Sequence, residues 1–152
     1  MLDGEVLYRD IFQCLFPGTV VIYAALLKVF GLRTWIPNAL LVLLEVLLAW
    51  TIVSVSRKLI PGRNAFLPAA LLLSFEFRAW HVSTHHWFSV LAVMAAVLVA
   101  LEKRNPVRLA GAGALCGVSA WFTQTQGPAA LLAFAIFGIV QRFALAARLE
   151  KS

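Results

Sequence analysis

Three adjacent residues near the start of the chain, Tyr8, Arg9 and Asp10, are of types that could do chemistry together. A carboxylate can take a proton from a reacting hydroxyl, and an arginine can hold a phosphate through charge-assisted hydrogen bonds. Asp10 is therefore a candidate catalytic base or orienting group, with Tyr8 and Arg9 as candidate substrate contacts. The alternative is structural, with Arg9 and Asp10 fixing a loop at the level of membrane headgroups.

Three histidines, His81, His85 and His86, form a second group of candidates just before a long apolar run. His81 and His85 are four residues apart, which places both on one helix face and would suit a metal ion. No third ligand is evident nearby, so no cofactor is predicted and a divalent metal stays the alternative. Contact with a lipid phosphate or sugar is a second interpretation. A plain interfacial position beside Trp80 and Trp87, in an aromatic belt, is the third.

An uncharged polar stretch, Thr123 to Gln126, stands directly before Gly127 and Pro128. Irregular backbone at membrane depth is tolerated where it lines a polar cavity. Thr125 and Gln126 are therefore candidates for hydrogen bonds to a sugar or pyrophosphate group. A helix end followed by a turn explains the same residues without any ligand.

Two features lie inside the apolar runs themselves. Glu45 stands in the middle of "LLVLLEVLLAW", and a carboxylate at that depth is a functional hypothesis by default. The glycines of "GAGALCG", at positions 111, 113 and 117, predict close helix packing, since no strand precedes them as a nucleotide loop would require. Cys14 and Cys116 have neither metal nor disulfide spacing and are predicted to be packed free thiols.

The composition bounds the class of protein that positions these residues. The chain has 152 residues, of which 62% are hydrophobic and 13% charged, with a net charge of +6. A soluble domain is nearer half apolar and a quarter charged, so an integral membrane protein is predicted. The basic residues fall between apolar runs and read as topology signals, so no nucleic-acid partner is expected.

Six apolar segments predict a helical bundle in a single domain, 1–152, rather than a barrel, because no period-2 alternation is present. They cover residues 14–31, 36–56, 65–75, 87–101, 107–122 and 127–140. Only the second meets the length of about 20 residues that a spanning helix needs. The prediction is an all-α membrane protein with about five transmembrane helices and one N-terminal juxtamembrane or re-entrant helix. Six spanning helices are the alternative.

Positive charges collect in the loops 57–64 and 102–108 and in the tail after residue 141. Two apolar segments separate each of these from the next, so all three are predicted on one side, which the positive-inside rule makes cytoplasmic. Residues 31–35, 76–86 and 123–127 then face outward. A multi-pass protein of a bacterial inner membrane is expected. Because it contains Pro17-Gly18 and Lys28, segment 14–31 is a weak candidate for a membrane-spanning helix. This favours a juxtamembrane helix and an outward-facing N-terminus.

The order of these features resembles a known family. "GEVLYRDIFQCLFPGTVVIYAALLKVFG" is similar to the Tyr-Arg-Asp region of polytopic GT-C glycosyltransferases, of the dolichyl-phosphate-mannose protein mannosyltransferase and RgtA/B/C/D-like types. The basic loop before "AFLPAALLLSF", the histidine loop and the Gly-rich helix ending in "TQTQG" follow in the same order. The resemblance implies transfer of a sugar from a polyprenyl-phosphate donor to an extracytoplasmic acceptor. Membrane lipid and that donor are the implied partners.

The chain also departs from the family pattern. Family members begin with a helix and an acidic pair upstream of the Tyr-Arg-Asp motif, and one of those acids acts as the base. Their polar stretch after the Gly-rich helix often carries a lysine where Gln126 stands here. The prediction is therefore part of a longer transferase, and whether this part is active alone is left open. A small transporter, or an accessory subunit without enzymatic activity, is the competing prediction.

Overall fold

The computed structural model describes residue 9 and residues 16–79, 84–102 and 105–149. Within these ranges the chain is helical, which confirms the predicted all-α class. The α-helices are α1 (Gly18–Phe30), α2 (Trp35–Leu59), α3 (Leu67–Ala79), α4 (His85–Ala100), α5 (Pro106–Phe122) and α6 (Gln126–Leu149), with a 3-10 turn at Gly62–Phe66 between α2 and α3.

Local sequence explains where several helices begin and end. Asn105 caps α5 by accepting a hydrogen bond of 3.0 Å from the Val107 N–H, and Pro106 occupies the first turn, where its missing N–H does no harm. Helix α1 ends at Gly31, whose φ of +75° favours glycine. Inside α2, Thr51 donates its hydroxyl proton to the Leu47 carbonyl, which satisfies a polar group within an apolar helix.

Two of the described helices are long and apolar enough to cross a membrane, α2 and the part of α6 over Gln126–Phe143. Helix α2 extends slightly beyond the predicted segment 36–56 at both ends. Helix α6 continues well past the predicted segment 127–140. Helices α1 and α4 are apolar but shorter.

Ion pairs tie the last turn of α2 to the connection between α4 and α5. Lys58 Nζ lies 3.6 Å from one Glu102 carboxylate oxygen, and Arg108 Nη1 lies 2.7 Å from the other. The basic loops 57–64 and 102–108 therefore meet at one end of the bundle, in agreement with the sequence. We call this end, defined by Lys58, Glu102 and Arg108, the basic end.

The core lies between α2, α4 and α5, and α4 packs most extensively against α5. Its buried side chains are Leu41, Leu44 and Leu48 of α2, Trp87 and Phe88 of α4, and Phe122 of α5. Trp87 is only 8% exposed, so it belongs to this core and not to an aromatic belt. A second cluster contains Cys116, a buried free thiol as predicted, whereas Cys14 lies outside the described residues.

The expectation of close packing at Gly111, Gly113 and Gly117 is wrong for contacts among the described residues. A Cβ added at any of these three positions would meet no atom within 4 Å. The close approaches occur instead at Gly18 and Gly127. The reason is the rotation of α5 about its own axis, which places the "GAGALCG" glycines on faces that no described helix covers.

Candidate functional site

Four candidate residues, His85, His86, Thr125 and Gln126, gather at the end of the bundle opposite the basic end. Helix α4 starts at His85 and leads to Glu102, so these residues are about 26 Å apart along the axis at 1.5 Å per residue. Helix α5 runs back in the opposite direction and ends at Phe122. The rings of Phe88 and Phe122 stack with centroids 4.8 Å apart and an interplanar angle of 9°.

This stack brings the start of α4 level with the end of α5. His85 and His86 therefore share one end of the bundle with the polar stretch Thr123–Gln126. We call it the histidine end.

A buried hydroxyl pair joins the two helices next to this stack, on the side of the basic end. Ser89 Oγ lies 2.6 Å from Ser119 Oγ and 3.1 Å from the Ser119 carbonyl oxygen, and both serines are fully buried. Hydroxyl hydrogen bonds of this kind join helices that apolar surroundings cannot otherwise hold in register. They fix the height of the histidines relative to the polar stretch.

Two glycines draw α1 and α6 onto the same end. A Cβ at Gly18 would lie 2.7 Å from Phe122 Cδ1 and 2.9 Å from the Trp121 carbonyl oxygen. A Cβ at Gly127 would lie 2.4 Å from the Ala120 backbone nitrogen. Only glycine lets the first turns of α1 and α6 come so close to the last turn of α5. Three helix N-termini, those of α1, α4 and α6, thus belong to the histidine end.

The polar stretch closes α5 and opens α6. The Thr123 N–H donates to the Ser119 carbonyl at 2.9 Å, and the Ala129 N–H donates to the Thr125 carbonyl at 3.1 Å. Three side-chain oxygens near this junction are buried without a hydrogen-bond partner: Thr19 Oγ1, Thr123 Oγ1 and Gln126 Oε1. Buried polar atoms without partners are uncommon in folded proteins. Hydroxyl and amide oxygens beside helix N-termini suit a ligand that carries hydroxyls and negative charge.

The two histidine rings contact each other at the first turn of α4 in a tilted arrangement, with centroids 4.1 Å apart and an interplanar angle of 39°. The partial positive charge of a helix N-terminus disfavours imidazolium. A neutral imidazole can both donate and accept a hydrogen bond.

The structure leaves part of the predicted site open. Tyr8, Asp10 and His81 lie outside the described residues, so the Tyr-Arg-Asp group and the His81–His85 spacing stay predictions. Arg9 is described and exposed. Thr125 is exposed and Gln126 is half-buried, and both lie at the histidine end as the sequence predicts for one shared surface. Among the described residues, no three potential ligands are grouped to hold a metal ion.

The sequence did not predict the buried hydroxyl residues that pack beneath the polar stretch. Thr19, Ser89 and Ser119 are single hydroxyls within apolar runs and gave no pattern. A small polar residue in an apolar helix is nevertheless a signal for a helix contact.

Comparison of the chain with protein-family models, with curated proteins and with solved structures gives no match. The class that fold and site define is an all-helical chain with two apolar helices of membrane-spanning length and a polar end built from three helix N-termini.

Proposed function

We propose that the chain is an integral membrane protein, and that it is part of a glycosyltransferase using a polyprenyl-phosphate sugar at the histidine end. The sugar would pass to an extracytoplasmic acceptor. The proposal joins the motif order in the sequence to the polar architecture of that end.

The outer surface of the bundle supports the membrane location. Large apolar side chains are exposed along α2 and α6, on faces that no described helix covers. Soluble monomers rarely expose contiguous apolar surfaces of this extent. The most exposed on these two helices are Val46, Trp50, Leu59, Leu132 and Phe143.

The placement of α1 supports a juxtamembrane helix with five spanning helices. Helix α1 starts against Phe122, and it ends where Phe30 meets Trp35 with ring centroids 6.0 Å apart. Trp35 begins α2, which reaches the basic end only at Lys58. Both ends of α1 thus lie away from the basic end. A spanning helix would instead join the two ends.

Orientation follows from charge. The loops that meet at the basic end carry the positive residues, so the basic end is cytoplasmic and the histidine end faces outward.

The observation that carries the proposal is that the histidine end is recessed. Counted at about 1.5 Å per residue from the Lys58–Glu102 contact, α2 extends about 35 Å to Trp35, whereas α4 extends about 26 Å to His85. If α2 spans the membrane, the histidines and the polar stretch lie about 9 Å below its outer end. A polar end at that depth is accessible to a headgroup carried by a membrane lipid.

The proposed chemistry is inverting transfer. The acceptor hydroxyl attacks the sugar carbon, the bond to phosphate breaks, Asp10 takes the hydroxyl proton, and the lipid phosphate leaves with the negative charge. Tyr8 and Arg9 would hold that phosphate. His85, His86, Thr125 and Gln126 would bind the sugar or the phosphate, and the helix N-termini would favour the anion.

A transporter or an accessory subunit is the second candidate, and Glu45 favours the transporter. It is a carboxylate of 5% exposure inside a helix of membrane-spanning length, and such residues often mark ion or proton pathways. A Glu45→Gln variant that abolishes coupled uptake in vesicles would support this candidate over the transferase.

Cysteine labelling in intact cells tests the orientation on which the transferase depends. In a background with Cys14→Ser and Cys116→Ala, a cysteine at position 83 should react with an impermeant maleimide, and one at Asn105 should react only after lysis. A third probe at Glu5 should react from outside. Labelling of position 5 only after lysis would remove Asp10 from the outward surface and end its proposed role.

The chemical step is tested in a full-length protein that carries this motif. Asp10→Asn should abolish sugar transfer from the polyprenyl-phosphate donor, with protein level as the control. Unchanged turnover would remove Asp10 from the mechanism.

A further inference from the structure

We propose that the basic end holds a binding site for the phosphate of an anionic phospholipid, formed by Arg57 and Arg63 around the ring of Phe66. The site lies at the opposite end from the proposed transferase chemistry and does not depend on it. It does depend on the membrane location.

Arg57 is held in place by an aromatic ring. Its guanidinium carbon lies 5.0 Å from the centroid of Phe66, within the range of a cation–π contact. Phe66 ends the 3-10 turn Gly62–Phe66, which packs against α2. The guanidinium keeps its hydrogen-bond donors at its edge, where they can form a bidentate contact with phosphate.

Arg63 stands beside this pair because of the geometry of the turn. A 3-10 helix has three residues per turn, so Arg63 and Phe66 lie on the same face about 6 Å apart. Gly62, with a φ of +72°, turns the chain into this helix after Pro61. The two arginines are therefore carried by helical elements, with Arg57 on the Phe66 ring and Arg63 on the same face of the turn as that ring.

The charge at the basic end is not balanced within the described part of the chain. Lys58 and Arg108 share the single carboxylate of Glu102. Among the side chains described at this end, no further carboxylate faces Arg57 or Arg63, and both arginines are exposed. Their positive charge therefore remains available to an anion from the surroundings.

Adjacent apolar surface selects a lipid over a soluble phosphate. Leu59 is 64% exposed and Leu67 is 57% exposed, and these leucines flank the turn that carries the arginines. Farther along α3, Leu71 and Phe75 are also exposed. An acyl chain can lie along this face of α3 while its phosphate contacts the arginines, in the manner of basic pockets that bind anionic headgroups.

The test measures the preference for phosphatidylglycerol over phosphatidylcholine with spin-labelled lipids, using the full chain reconstituted in phosphatidylcholine vesicles. Insertion into these neutral vesicles is checked first, and failure there would refute the membrane location on which the site depends. With insertion established, we expect the unmodified chain to prefer phosphatidylglycerol. Arg57→Gln and Arg63→Gln should each lower that preference about fivefold, since one cation near the surface contributes about 1 kcal/mol.

Arg33→Gln is the matched control, because it removes one exposed arginine from the loop before α2, at the other end of that helix. It should leave the preference unchanged. Arg57→Lys keeps the charge but loses the planar guanidinium, so it should lower the lipid preference less than Arg57→Gln does. The lysine variant also provides a test if the glutamine variant does not fold. Three results would each overturn the proposal. They are an equal loss of lipid preference in Arg33→Gln, no preference in the unmodified chain, and displacement of the lipid by millimolar inorganic phosphate.

Discussion

Replacing Gly127 by alanine tests the packing that brings α6 to the polar stretch. The new Cβ would lie 2.4 Å from the Ala120 nitrogen, 2.5 Å from its Cβ and 2.6 Å from its Cα. Carbon atoms in contact normally sit about 3.5–4.0 Å apart, so the two helices must separate by about 1 Å. These atoms belong to the body of α5, so no flexible side chain can turn away. Overpacking of this kind costs about 1–3 kcal/mol.

Gly117→Ala supplies the matched control, because a Cβ at Gly117 meets nothing within 4 Å. Gly117 lies inside α5, where the change from glycine to alanine gains about 1 kcal/mol, whereas Gly127 is the second residue of α6, where this gain is smaller. The difference between the two free energies of unfolding therefore contains the clash and at most about 1 kcal/mol of helix propensity. Gly18→Ala should fall between them, because a movable Phe122 ring makes two of its three closest contacts.

Unfolding by a denaturing detergent, followed by circular dichroism, measures all three variants under the same conditions. We expect the order of stability Gly117→Ala, then Gly18→Ala, then Gly127→Ala. Equal stability of the Gly117 and Gly127 variants would show that α5 and α6 do not approach as closely as described. The placement of α6 at the histidine end would then be wrong.

One further prediction concerns the same end. Ser89→Ala should destabilise the fold more than Ser119→Ala, by about 1 kcal/mol. The first change leaves the buried Ser119 hydroxyl without a partner, whereas the second leaves Ser89 its bond to the Ser119 carbonyl. A double-mutant cycle measures the coupling between the two hydroxyls, and strict additivity would argue against the pair.

Part of the candidate site could be foreseen from sequence because it depends on chain order. Charge alternation between apolar runs was enough to bring His85 and Gln126 to one end and Lys58 and Arg108 to the other. The structure agrees with this arrangement through the Glu102 ion pairs. The buried hydroxyls that surround the polar stretch were not foreseen, because a lone Thr19 or Ser89 has no periodic pattern.

The sequence by itself determined the all-helical class and the apolar length of α2, because hydropathy and helix propensity act over neighbouring residues. Only the tertiary structure decided which side of each helix is covered. In an apolar helix both faces carry similar residues, so no hydrophobic stripe marks the inner one. That is why Gly18 and Gly127, and not Gly113 and Gly117, turned out to lie at helix contacts.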